Sequence, residues 1–272
     1  MNNYSEKELN DIVSELVIYL AKENDRFLLS EEEILELPYS EKRKVFYQLC
    51  SARNPKPLSS EFLRLQNEFL TYENKNRNIV DVDKLNYINN MSIFLGDIVS
   101  LKADAIVCSC KENLIGTLRP QDDSISNDVL FAGGLQVKQE LNYIITKQNK
   151  NEECGQAKII KGYNLSSKYI ICTVGPKIIN GRVGYREKEG LINCYKSCLE
   201  LAYSKGLKTI AFCSISTGSN KFPKQLASEI AISTVSKWLE ERNYPFKVVF
   251  CLECEDNKAL YENSFINYVR ID

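Results

Sequence analysis

The sequence contains no histidine. That absence excludes Ser-His-Asp and Cys-His nucleophile systems and every zinc site that needs imidazole. Long apolar runs are also missing. None approaches the ~18 residues of a spanning helix, and the N-terminus lacks a signal-peptide layout. A cytoplasmic chain with no membrane partner is therefore expected. No charge of one sign dominates, since 35 Lys and Arg stand against 36 Asp and Glu for a net −1. Proteins that grip nucleic acid normally carry a basic face, so no nucleic-acid partner is expected. Ten cysteines in 272 residues do not make a disulfide scaffold. They read as small buried hydrophobes: Cys108, Cys110, Cys172, Cys213 and Cys251 in strands, Cys194 and Cys198 on a helix. The alternative is a thiolate site joining Cys251 and Cys254 to Cys108 and Cys110. A CxxC without a second such pair supports it weakly.

Apolar residues at 44% and charged residues at 26% are those of a globular protein. Residues 1–78 read as a helical extension. Ser5 and Glu8 resemble a capping box, followed by Leu9, Ile12, Val13, Leu16, Val17 and Leu20 at helical spacing. A second helix is expected over Ser40–Ala52, ended by Asn54-Pro55-Lys56-Pro57. A third begins at Ser59-Ser60-Glu61 and carries Phe62, Leu65, Phe69 and Leu70. Glu73 to Asn78 reads as the junction.

From residue 79 to 272 strands alternate with helices, the pattern of an α/β layered domain. Strands are expected at Ser92–Ile98, Ala105–Cys110, Ala157–Tyr163, Lys168–Val174, Lys208–Ser214 and Lys247–Cys254. Helices are expected at Ile125–Thr146, Glu187–Lys205, Pro223–Glu241 and Asp256–Phe265. Residues 156–174 read as a hairpin, so the sheet should be mixed. Ligands of such sheets bind beyond the carboxyl ends of strands, where loop amides favour anions. Two stretches have that grammar: residues 94–136 and 212–223. In the second, Ser216-Thr217-Gly218-Ser219 suits a phosphate cradle, though the same residues also make plain turns.

GDI at 96–98, DAIV at 104–107, GQAKIIKGYNLSSKYIICTVGP at 155–176, CYKSCLELA at 194–202 and IAFCSISTG at 210–218 with FP at 222–223 resemble the macrodomains. More narrowly they resemble the zinc-dependent ADP-ribosyl hydrolase branch. ARNPKPLSSEFLRLQNEFL at 52–70 is similar to that branch's helical extension. The resemblance implies a mixed, mostly parallel sheet between helices, with ADP-ribose or an ADP-ribosylated protein as partner. It implies that Asp97 accepts from the adenine amine, beside the backbone of Ile98. The alternative for Asp97 is a cap or turn residue. Ser216, Thr217, Gly218 and Ser219 match the loop around the diphosphate, and Asn220 replaces an aromatic near the distal ribose.

The resemblance breaks in the active loop. The branch's Cys, His and Cys around zinc fall on Thr117, Asp122 and Ser124. Its acidic residue falls on Ser126 and its strand-end Asn on Lys111. No zinc and no other cofactor is expected from that donor set, which at best suits an oxygen-loving cation aided by Asp123. Lys111 would place a positive charge near the cleft, or stand as an exposed loop lysine. Three functions follow: a macrodomain that binds ADP-ribose without cleaving it, a hydrolase working without zinc or with an oxygen-bound metal, or a sensor of a modified ADP-ribose.

Overall fold

Serine caps open three of the N-terminal helices. The computed structural model describes residues 4–116, 124–242 and 244–269. Ser5 and Glu8 form a reciprocal capping box at the head of α1 (Glu6–Lys22), and Ser30 with Glu33 does the same for α2 (Glu31–Glu36). Helix α3 (Tyr39–Ala52) follows Pro38, and Ser59 caps α4 (Ser60–Lys75) by accepting from the Phe62 N–H. The short α2 has less than two turns of pattern and was not expected.

The stripes of α1, α3 and α4 close on one another. Leu16, Val17, Phe46, Phe62 and Phe69 are buried in one cluster that also takes in Phe131 and Leu135 from beyond the sheet's first strands. Burying each of these side chains stabilises the fold by about 2 kcal/mol. The polar stretch after them is tied down. Buried Asn74 donates from Nδ2 to the carbonyls of Ala132 and Asn164, at 2.9 Å each.

The remaining elements in chain order are β1 (Val80–Asp81), β2 (Met91–Leu95), β3 (Leu101–Lys102), β4 (Ala105–Cys110), α5 (Ile125–Gly133), α6 (Leu135–Gln148), β5 (Ala157–Lys161), β6 (Tyr169–Val174), α7 (Tyr185–Ser204), β7 (Thr209–Phe212), α8 (Lys224–Arg242), β8 (Lys247–Leu252) and α9 (Glu255–Val269). The main sheet has the order β2-β8-β7-β4-β6-β5. Every pairing is parallel except the β5–β6 hairpin, so the expected mixed, mostly parallel α/β sheet flanked by helices is what forms. β1 and β3 make a separate parallel pair.

Two expected elements change at polar or glycine positions. The first strand stops at Leu95, because Asp97 caps a 3₁₀ turn over Ile98–Ser100 by accepting from the Val99 N–H at 2.9 Å. The helix expected over Ile125–Thr146 is two helices. Gly134, at φ +99°, breaks it, and the Leu135 N–H left over is taken by Gln66 Oε1 at 2.9 Å. The strands expected to reach Tyr163, Ser214 and Cys254 end at Lys161, Phe212 and Leu252, where the chain turns away, while those ending at Cys110 and Val174 end as expected. Among the described residues no helix is long and apolar enough to cross a membrane.

Candidate functional site

The carboxyl ends of β2, β8, β7, β4 and β6 lie along one edge of the sheet, and their outgoing loops carry the expected site residues. Strands sit about 4.8 Å apart, so β2 and β4, three spacings apart in the order, are separated by about 14 Å. An edge of that length fits an elongated ligand better than a compact one.

At the β2 end, Gly96 is fixed to β8. Its N–H donates to the Leu252 carbonyl at 2.9 Å, and its carbonyl accepts from the Cys251 thiol at 3.3 Å. Asp97 is therefore held at the strand's exit. One oxygen caps the 3₁₀ turn and the other takes Arg77 Nη1 at 2.7 Å. Asp97 is a cap, and its side chain is still 49% exposed at the strand's exit. Ile98 is buried beneath it. Arg77 was not among the expected residues. It follows α4 and donates from Nε to Asn74 Oδ1 at 3.2 Å, so the helical extension reaches this end of the edge.

After β7 the chain makes a tight, polar bend. Ser216 adopts φ +66°, and Lys221, at φ +57°, donates back to Gly218 O at 2.9 Å. Thr217 Oγ1 lies 3.0 Å from both the carbonyl and the hydroxyl of Ser214. The N–H groups of Ser216, Gly218, Ser219 and Asn220 make no hydrogen bond of normal geometry among the described residues. Successive unpaired amides around a left-handed residue form an anion-binding concavity. The Ser216 hydroxyl is buried without a partner and sits 2.0 Å from where a Cβ on Gly175 would lie. Any larger residue at 175 must push the Ser216 side chain aside.

Asn220 joins two loops. Its Nδ2 donates to Gly175 O at 3.0 Å, and its own carbonyl accepts from the Ile178 N–H at 2.9 Å. Lys111 leaves β4 directly opposite that junction, because Cys110 pairs in register with Val174, and its side chain is exposed. The structure thus brings Lys111, Gly175 and the 216–220 loop to one end, and Asp97 with Ile98 to the other.

Beyond Lys111, Thr117, Asp122 and Asp123 lie outside the described residues. Ser124 Oγ caps α5, accepting from the Asn127 N–H at 3.4 Å, and it lies 3.1 Å from Ser126 Oγ. Among the described residues no group of three or more Cys, Asp or Glu is arranged for a metal ion. Cys251 is buried while Cys254 is exposed, and contact with Cys110 plus burial push the Cys108 thiol well up. Burial pushes Cys213 up to about 12. The Cys108 and Cys213 thiols therefore stay protonated, which favours the packing reading for those two.

Residues 109–231 match the family model described as Macro domain. Across 240 residues the chain is 38% identical to the "Protein-ADP-ribose hydrolase" of Staphylococcus aureus (strain COL), covering 87% of this chain and 90% of that one. The chain belongs to the macrodomain family. It is also 30% identical to the human "ADP-ribose glycohydrolase MACROD2", over 89% of this chain and 54% of that protein. A solved Oceanobacillus iheyensis macrodomain with ADP superposes with a TM-score of 0.62 and 28% identity, covering 68% of this chain and 95% of that one.

Proposed function

We propose that this macrodomain holds ADP-ribose, free or attached to a protein, along the strand ends and does not cleave it by zinc chemistry. The unpaired amides of the 216–220 bend carry the first half of the reading. A diphosphate supplies the acceptors that those N–H groups lack, and an anion suits backbone dipoles that converge. The adenine amine can only donate and the Asp97 carboxylate can only accept, so the base belongs at the β2 end beside Ile98. The distal ribose then lies toward Lys111 and Asn220. Asn220 spends its amide on Gly175, so it shapes that pocket rather than gripping the sugar.

The second half is supported by the chemistry of the donor set. Zinc favours thiolate and imidazole, whereas Thr117, Asp122 and Ser124 offer two hydroxyls and one carboxylate. Ser124 is in addition committed to capping α5, and Ser126 brings a hydroxyl where a general acid or base would be needed. Eight buried cysteines outside any disulfide among the described residues support a reducing cytosol as the compartment.

The relatives' names favour a second reading, hydrolysis by positioning or by an oxygen-bound metal. Positioning alone contributes several kcal/mol to catalysis. Incubation with a mono-ADP-ribosylated protein separates the two. The first reading expects no release of ADP-ribose with or without added zinc. Release that is lost with EDTA or in Asp122→Ala would establish the second.

A further inference from the structure

The loop from Lys177 to Tyr185 is tied down by backbone hydrogen bonds at both ends and exposes large apolar side chains. Ile178 anchors it through the Asn220 carbonyl. Asn180 and Gly181 then adopt φ +56° and +68°, and the Arg182 N–H returns to Ile179 O at 3.5 Å, the signature of a type I′ turn. Glu187 accepts from the Gly184 N–H at 2.8 Å and starts α7, while Gly190 packs toward Pro176. This scaffold holds Ile179 and Tyr185 out in solvent at 70% and 79% exposure. Around them stand Lys177, Arg182, Arg186 and Lys188, all exposed and none in an ion pair among the described residues. Over residues 177–190 four basic side chains face two acidic ones, in a chain whose net charge is −1.

Location decides what this rim is for. With adenine at β2 and diphosphate at β7, the distal ribose points toward β4 and β6. The 177–185 loop leaves β6 there. Whatever is attached to that ribose must emerge across it. We infer that the rim formed by Ile179, Tyr185, Lys177, Arg182, Arg186 and Lys188 docks the polypeptide that carries the ADP-ribose, through an acidic segment bearing an apolar residue. This inference rests on the ADP-ribose reading above. Free nucleotide has nothing to place on Ile179 and Tyr185, whereas a peptide chain buries both and brings carboxylates to the four cations. Complementary charge at a rim governs partner choice and salt dependence.

Calorimetry on the full chain tests it with three probes: free ADP-ribose, an acidic peptide bearing one ADP-ribosyl group through a non-cleavable amide link, and the same peptide with its acids replaced by lysine. The acidic conjugate should bind about tenfold more tightly than free ADP-ribose, an advantage that shrinks with added salt. The double variant Arg182→Glu/Arg186→Glu should keep its affinity for free ADP-ribose and lose that advantage. Equal binding of the acidic and basic conjugates would overturn the inference, as would a double variant that keeps the preference or a dimer that buries Ile179. Failure of all three probes, free ADP-ribose included, would instead remove the reading of the cleft on which the inference stands.

Discussion

Arg77, just past the last helix of the N-terminal extension, donates to the Asp97 carboxylate at 2.7 Å. Val99 N–H holds the other oxygen, so the carboxylate is fixed at both ends and still offers a lone pair on each oxygen. Arg77→Ala should lower the affinity for ADP-ribose about fivefold, the worth of one half-exposed charged pair. It should also narrow the preference for ADP-ribose over its hypoxanthine counterpart, which has no amine. Titrations of both ligands check this, and an unchanged preference would mean that Arg77 serves the fold alone.

Gly175 and Ser216 are in so close a contact that an added atom at 175 must displace the Ser216 side chain. A Cβ at 175 would meet the Ser216 hydroxyl at 2.0 Å. Gly175→Ala should therefore displace the bend of unpaired amides and weaken ADP-ribose binding by about tenfold or more, with a smaller loss of thermal stability. Calorimetry beside a melting curve separates the two effects.

Asn74 is the tie between the extension and the sheet. Asn74→Ala leaves the buried acceptors Ala132 O and Asn164 O without their donor. The expected cost is about 2 kcal/mol, or a fall in Tm of roughly 4–8 °C. A Tm shift within about 1 °C would show that the extension is held by its apolar contacts instead.

Lys138, buried on α6, donates to the carbonyls of Cys50 and Ser51 at the end of α3, at 2.8 Å each. Burial pushes its pKa down to about 8. An unfolded lysine titrates near 10.4, so between those values the unfolded chain binds more protons and stability rises with pH. Below pH 8 the buried cation is a standing cost, of order 3 kcal/mol at most; above it that cost is relieved. Denaturant melts at pH 7.5 and about 9.5 should show a gain that Lys138→Met lacks, and equal gains in both proteins would contradict this assignment.

The readable parts of the fold were those where one apolar pattern settles the outcome. Ala105–Cys110 is a continuous apolar run, and it forms a strand over those residues. Leu9, Ile12, Val13, Leu16, Val17 and Leu20 keep helical spacing, and all six are buried. The break at Gly134 was hidden because periodicity continues through it; only Gln66, far away in sequence, reveals that a new helix N-terminus is satisfied there. Arg77 was hidden for a related reason. Its partner lies twenty positions on, and polar contacts across elements leave no periodic trace. Asp97 was legible as a strand-end carboxylate, but composition does not tell a cap from a ligand site; the structure shows the cap, and the ligand role is the proposal. The unpaired amides after β7 are a property of backbone conformation, of which Ser-Thr-Gly-Ser gave only a hint.

The most direct test of the account is a titration of ADP-ribose into the purified protein after EDTA treatment. The account predicts saturable, one-to-one binding that EDTA does not change and that Asp97→Ala weakens. No heat of binding at millimolar ADP-ribose, or binding that appears only when zinc is restored, would contradict it.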